Sequence, residues 1–394
     1  MKDTYISEAV KYIGADDTTL DLFESQYQIP NGVSYNSYVI LDEKVAVMDT
    51  IDERKTDEWF ANLENVLNGR TVDYLVISHL EPDHAANIKR AADKFPQAQL
   101  VLSAKAKAML PQFFDIAHLE ERCLVVKEGD TLELGTHKLH FVMAPMVHWP
   151  EVMVEYEETE KILFSADGFG KFGALSAEEE WTDEEDWDCE ARRYYIGIVG
   201  KYGAQVQKLL KAAATLDIQT ICPLHGPVLK ENLGFYIGKY LTWSSYEPEE
   251  DGVLVACASI HGNTKAAAEK MVEVLRANGA SKVVFMDLTR DDMAEAVADA
   301  FRYGKIILAA ASYDAGVFPP MEDFLHRLVH KNLQKRTFGL IENGSWAPCA
   351  AKGMKGILEG MKEVNICENV VSIKSTMKDT DVAKMEELAK EILA

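Results

Sequence analysis

The sequence is short of basic residues, of paired cysteines and of long apolar runs, and each shortage removes a class of function. Lys and Arg number 41 against 64 Asp and Glu, a formal charge of −23. A surface this acidic repels polyphosphates and anionic lipid, so neither nucleic acid nor a membrane is an expected partner. No apolar run reaches membrane-spanning length, and the start, Met1-Lys2-Asp3-Thr4-Tyr5, lacks the basic-then-apolar pattern of a secretory leader. The expected location is cytoplasmic. The six cysteines, Cys123, Cys189, Cys222, Cys257, Cys349 and Cys367, form no C-x-x-C pair, which argues against a disulfide framework, a zinc knuckle or a rubredoxin-type iron site. No G-x-x-x-x-G-K segment occurs, which argues against a nucleotide-hydrolysing P-loop.

What is present is enough chain for two domains with full cores, 394 residues with 47% hydrophobic content. The first half is organised around Ile77-Ser78-His79-Leu80-Glu81-Pro82-Asp83-His84. The apolar run Tyr74-Leu75-Val76-Ile77 reads as a buried strand that delivers polar residues at its carboxyl end. Pro82 biases its neighbours away from helix, so His79, Glu81 and Asp83 are expected in an extended turn, with His84 opening a helix through Ala85 to Ala92. Two imidazoles and two carboxylates so close together would repel and desolvate badly without a cation, which makes this a metal site. A solvated polar loop explains any one of these residues but not the set.

Three later strand ends carry further ligand types: His148 after Lys138 to Met143, Asp167 after Ile162 to Phe164, and His225 after Thr220 to Cys222. Taken singly each is an ordinary capped turn residue. Tyr35 to Leu41 and Val45 to Met48 read as an edge hairpin, Glu178 to Asp188 as an exposed acidic loop, and Glu190 to about Leu216 as one helix. Strands in series with interspersed helices predict stacked sheets covered by helices.

Composition shifts at the charged turn Tyr246 to Gly252, which sets the expected domains at 1–248 and 249–394. Beyond it strands and helices alternate strictly, predicting a five-stranded doubly wound parallel sheet that binds ligand at its carboxyl edge. The first strand of this half ends in Ser259-Ile260-His261-Gly262-Asn263-Thr264 before a helix. Hydroxyls, a glycine and helix N-terminal amides can cradle a phosphate without a lysine. Later strand ends supply Ser312, Tyr313, Asp314, Ala315 and Gly316, then Gly344, Ser345, Trp346 and Ala347, small and aromatic residues able to wall a flat ring.

With these motifs in place the chain resembles a flavodiiron protein (A-type flavoprotein) over nearly its whole length. The family's H-x-E-x-D-H pattern is His79, Glu81, Asp83 and His84, and its later ligands match His148, Asp167 and His225. The resemblance implies an N-terminal metallo-β-lactamase-like αββα sandwich followed by a flavodoxin-like sheet that holds FMN on the loops just named. It also implies two iron ions, one on His79, Glu81 and His148, the other on Asp83, His84 and His225, with Asp167 bridging. Tyr195 and Trp149 are candidates for the pocket wall. Ala311-Ser312-Tyr313-Asp314 departs from the family's more usual Ser-Pro-Thr-Tyr-Asn, which leaves the ring contacts as the least defined part. With no rubredoxin or flavin reductase extension after Ala394, the two-domain form is expected.

The implied activity is that of a flavodiiron reductase, taking dioxygen to water, nitric oxide to nitrous oxide, or both. Its donor would be external, such as a rubredoxin or reduced deazaflavin, and its working unit a head-to-tail homodimer or dimer of dimers. Hydrolases on this fold usually carry His where Glu81 stands, and a hard carboxylate oxygen in that place favours iron. Two other classes compete. A metal-dependent hydrolase fused to a flavin carrier would bind zinc and need no reductant, and a flavin electron carrier with a structural metal would reoxidise equally well without its ligands.

Overall fold

The computed structural model describes residues 5–176 and 185–394. The chain divides into two compact units, Met1–Leu241 and Thr242–Ala394. No described helix is long and apolar enough to cross a membrane.

The first unit stacks two sheets. One has six strands in the order Val10–Tyr12, Tyr38–Leu41, Val45–Met48, Tyr74–Ile77, Gln99–Ser103 and Cys123–Val126. The other has five, Thr131–Glu133, Lys138–Met143, Met153–Glu157, Ile162–Phe164 and Thr220–Cys222. Strands here are buried on both faces, and their side chains alternate between two cores. Ile40, Ala46, Met48, Val76 and Val101 of one sheet meet Leu139, Phe141, Met153, Ile162 and Phe164 of the other. On the opposite face of the first sheet, Val47, Leu75 and Leu100 meet Trp59, Leu63, Ala91 and Ala92 of the helices Thr56–Leu67 and Ile88–Lys94. Val142, Val154 and Leu163 of the second sheet face Val206, Leu210 and Ala213 of the helix Gly203–Ala213. The result is the αββα sandwich.

The second unit has five parallel strands in the spatial order Val283–Asp287, Glu250–Ala258, Tyr303–Tyr313, Arg336–Asn343 and Val364–Ile373, with Gly316–Val317 added antiparallel to Tyr303–Tyr313. Helices Asn263–Ala277 and Asp379–Leu393 cover one face through Ala267, Met271, Leu275, Met385 and Leu388. Because the chain runs to opposite sides of Glu250–Ala258, the order reverses there and opens a crevice at the carboxyl edge. Arg336 is fully buried and donates to the carbonyls of Tyr246, Ala300, Phe301, Gln334 and Lys335. Together with the bond from Trp243 Nε1 to Glu249, this holds the charged turn at 246–252 within the second unit.

Four local expectations differ from the structure. The hairpin Tyr38–Leu41/Val45–Met48 is interior, because Val10–Tyr12 pairs antiparallel outside it and takes the edge. Pro82 starts a short helix, Pro82–Ala85, in place of continuing the extended turn, and a second helix begins only at Ile88. Its missing amide hydrogen costs nothing at the first helical position, where no intrahelical acceptor exists. The long helix is broken into Glu185–Tyr194, a π-turn Tyr195–Val199, a 3-10 turn Gly200–Tyr202 and Gly203–Ala213. A Cβ on Gly197 would come within 2.9 Å of the Tyr27 ring, so this position excludes larger residues at the cost of helix continuity. Of the acidic stretch, residues 178–184 lie outside the described residues; 185–188 begin a helix in which Trp187 is buried and Asp188 pairs with Arg192 and Lys239.

Candidate metal centre and flavin cradle

The seven ligand-type residues converge at one face of the first unit, each at or just beyond the carboxyl end of a strand. Glu81 is extended at the N-cap of the helix Pro82–Ala85, while Asp83 and His84 sit on that helix and point with it. His79, Glu81, His148 and Asp167 offer ligand atoms within 4.8 Å of one another, and so, as a second group, do Asp83, His84 and His225. Asp167 stands between the groups. Its Oδ2 lies 3.4 Å from His79 Nε2 and 3.2 Å from His148 Nε2, while its Oδ1 lies 3.1 Å from His84 Nε2 and 3.8 Å from His225 Nε2. One carboxylate thus turns one oxygen to each half.

All of this is buried or nearly so: His79, His84, His148, Asp167 and His225 are each at most 7% exposed. Burial favours neutral groups, and the cluster overrides it. Burial alone would lower the imidazoles, yet the hydrogen bonds that His79 donates to Glu151 and Glu81 hold it well above its ordinary pKa. His84 is raised to about 9 by Asp83 and Asp167, and His148 to about 9 by Asp167 and Glu81. Burial pushes the carboxylates up, but the bonds to His148 and His79 bring Glu81 down to about 2, and the charge of His84 with the His148 bond holds Asp167 well below the carboxylate range. Metal-free, Glu81 and Asp167 are held ionised and His79, His84 and His148 protonated, so metal replaces protons at these imidazoles as it enters.

The chemistry of the donor set fits metal. Both oxygens of Asp83 and Nε2 of His225 are buried without a hydrogen-bond partner, a costly state unless a cation completes it. Hard oxygens mixed with imidazoles suit iron, and the two groups suit two ions with Asp167 between them. Trp149 sets its ring edge-on to His79 with centroids 5.1 Å apart, so it walls the site and is only half-buried. Tyr195, expected at the wall, instead packs its ring on Tyr240. Its neighbour Tyr194 is the residue that reaches the site, donating from its hydroxyl to Asp167 Oδ1 at 3.0 Å. One residue along a helical turn rotates a side chain by about 100°, and periodicity alone could not choose between adjacent tyrosines. Sequence reasoning also missed Glu151, whose Oε1 lies 2.8 Å from His79 Nδ1, and the buried pair Asp49 and Glu155, both on the Ser78 hydroxyl. No motif marks any of them.

In the second unit a cavity of about 550 Å³ opens at the carboxyl edge beside the topological switch. Of the predicted cradle, Ser259, Ile260, His261, Asn263 and Thr264 line it. Ser312, Tyr313, Asp314, Ala315, Gly344, Ser345, Trp346 and Ala347 line it too. Gly262 and Gly316 do not. Gly316 pairs with Tyr313 across a turn in which Asp314 and Ala315 take positive φ, and this directs it away. Gly262 has φ +93° at the N-cap of Asn263–Ala277, and it carries no Cβ to obstruct the open space before the helix. That helix has no acidic residue in its first turn, which leaves its free amides to an anion. Asn343, Cys349 and Ser375 also line the cavity; Ser375 follows the fifth strand, whose end carries no ligand motif in the sequence. Around the rim Ile260, Tyr313 and Trp346 are 40%, 46% and 89% exposed. An apolar rim over a polar cradle fits a flat ring with a phosphate tail, as FMN has.

Comparison with known proteins finds relatives over nearly the whole chain. A family model described as ODP family beta lactamase matches residues 33–226. A nitric oxide reductase from Moorella thermoacetica is 26% identical over 99% of this chain and 98% of its own length. The structure of rubredoxin oxygen:oxidoreductase from Desulfovibrio gigas superposes with a TM-score of 0.91 at 26% identity, covering 99% of this chain and 97% of that one. The flavodiiron protein from Giardia intestinalis does so with a TM-score of 0.87 at 25% identity, over 100% and 97%.

Two outcomes follow from the two sites. Asp167→Ala removes the anion that both halves share, so it should lower bound metal per chain far more than bound flavin, read by elemental analysis and flavin absorbance on one sample. Wild-type metal content would remove Asp167 from the site. Gly262→Val with Thr264→Ala puts a branched side chain at a left-handed residue and deletes a hydroxyl, so the protein should purify with little flavin and its metal intact. Full yellow colour would place the phosphate elsewhere.

Proposed function

The chain is a flavodiiron protein, and from that premise we propose that it passes electrons from an external donor through FMN to a non-haem diiron site. The reaction is reduction of dioxygen to water, of nitric oxide to nitrous oxide, or both, a detoxification of small oxidants. The observation that carries this reading is Asp167, with one oxygen turned to each of two separate ligand groups. His79, Glu81 and His148 would hold one iron and Asp83, His84 and His225 the other. The proposed diiron domain is residues 1–248 and the proposed FMN domain 249–394, a boundary seven residues beyond the division of the compact units after Leu241. When bound, two reduced irons supply two electrons to a diatomic ligand, and the flavin resupplies them one at a time.

The chain's own residues prepare that chemistry. Glu81 supplies a charged oxygen where hydrolases of this fold place a neutral nitrogen, which favours the oxidised metal. The Tyr194 hydroxyl stays protonated, because burial and then the charges of Asp167 and Asp83 raise its pKa well above the ordinary value. It therefore holds a proton 3.0 Å from the shared carboxylate. Trp149 and Tyr194 keep the surroundings of the ligands aromatic, which suits a small apolar gas better than an ester or amide. The hydrolase alternative gains nothing from two of the relatives above, named as a nitric oxide reductase and a rubredoxin oxygen:oxidoreductase. A rubredoxin or a reduced deazaflavin is the proposed donor, and the cytoplasm the proposed location.

Protein made with iron available should contain about two irons and one FMN per chain, and when chemically reduced should consume dioxygen or nitric oxide. Stoichiometric zinc, with no gas consumption after iron reconstitution, would overturn the redox reading.

The working unit is proposed to be a head-to-tail homodimer in which the flavin of one chain serves the irons of the other, alone or as a dimer of dimers. Support comes from the family resemblance and from two-fold symmetry, by which two chains can present each kind of site to the other twice. Mixed dimers refolded from a Gly262→Val, Thr264→Ala chain and a His79→Ala, Asp83→Ala chain should regain activity that neither has alone. If verified mixed dimers stay inactive while refolded wild type recovers, transfer runs within one chain.

A further inference from the structure

Three of the centre's four buried imidazoles, His79, His225 and His84, have a second nitrogen facing away from the ligand cluster, and these three nitrogens meet different environments. His79 Nδ1 lies 2.8 Å from Glu151 Oε1. His225 Nδ1 donates to the carbonyl of Ser34 at 2.7 Å. His84 Nδ1 is buried with no hydrogen-bond partner. One ring is backed by a charged carboxylate, one by a neutral carbonyl and one by nothing.

Glu151 is built for its place. It is 1% exposed; the amide of Leu80 donates to the same Oε1 at 3.0 Å, and the Ser103 hydroxyl holds its backbone carbonyl at 2.8 Å. Its other oxygen, Oε2, is buried without a partner. Among the described residues the one cationic group paired with this buried carboxylate is His79, so its charge is compensated through the ring and, beyond the ring, by whatever the ring binds. A carboxylate on Nδ1–H fixes the tautomer that presents Nε2 to the cluster and makes that nitrogen a stronger donor. A carbonyl does this less, and an unpartnered nitrogen not at all.

We propose that Glu151 is a positioning residue that makes the two halves of the metal centre unequal, giving the half that contains His79 the tighter hold on its ion. This rests on the two-metal reading above. Asp167 is shared, so it cannot create the asymmetry; the outer hydrogen bond of His79 can. The half with the stronger donors fills first, and Asp83, His84 and His225 then receive the second ion beside an ion already in place.

The test is an anaerobic titration of metal-free protein with Co²⁺, followed by its absorption bands. Wild type should show two classes of site. Glu151→Gln keeps an acceptor for Nδ1–H but loses the charge, and should weaken the tighter class by about 10- to 100-fold while leaving the weaker class in place. Glu151→Asp, which keeps the charge, should recover part of the loss. In a His225→Ala background, which isolates the His79 half, Glu151→Gln should produce the same drop, and near-UV circular dichroism of the metal-free variants should match wild type. Unchanged tight binding in Glu151→Gln, or equal weakening of both classes, would overturn the proposal. Wild-type protein that takes up no metal would overturn the two-metal reading instead.

Discussion

Charge compensation inside an apolar shell is the constraint on which the first unit depends. Four imidazoles and three carboxylates lie together between strand ends where water is nearly excluded. Carboxylates alone there would repel, and imidazoles alone would stay neutral; mixed, Glu81 and Asp167 on one side and His84 and His148 on the other drive one another into the charged forms. Asp83 Oδ2 lies 3.2 Å from His225 Nε2 and 3.4 Å from His84 Nε2 without forming a hydrogen bond to either, so pairing among the groups themselves is incomplete. The site is therefore a set of ligands that protons satisfy only in part and metal ions satisfy better.

That constraint also accounts for the irregular backbone around it. His79 and Glu81 leave the strand extended, Pro82 then begins a helix at once, and Asp83 and His84 are carried to the other half of the centre. A longer extended run would keep all four residues on one line. The turn into helix spreads them over two groups, while Asp167 spans the gap. The break at Tyr195–Val199 has a comparable effect on the far side: Tyr194, the last residue before the π-turn, is delivered to Asp167 and Tyr195 is turned to Tyr240.

The second unit solves a different problem with the same part of a strand. Its cavity has no Lys or Arg in its lining among the described residues, and the helix Asn263–Ala277 offers free amides beside a left-handed glycine and hydroxyls, a fit for an anion. Loops from two further strand ends line the same cavity, pinned by Ser312 Oγ, which accepts from the amides of Cys349 and Ala350. Carboxyl ends of parallel strands gather at one edge, so residues far apart in sequence become neighbours there by topology.

Much of this was legible from sequence because strand ends are legible. Buried strands announce themselves as short apolar runs, and a chemically loaded residue just past one is delivered to the sheet edge whatever the details of the loop; this held for His79, His148, Asp167 and His225, and for Ser259 to Thr264. By itself the sequence determined most of the strands of both units, the ligand types and the absence of a phosphate-binding lysine motif, but not the edge strand Val10–Tyr12. Only the tertiary structure decided which side chains stand behind the ligands. Glu151, Ser34 and Tyr194 act through single hydrogen bonds whose partners lie 72, 191 and 27 residues away. Such bonds leave no period and no spacing rule, because they depend on how two sheets and a broken helix pack, and a lone Glu, Ser or Tyr in a loop or helix looks the same with or without them.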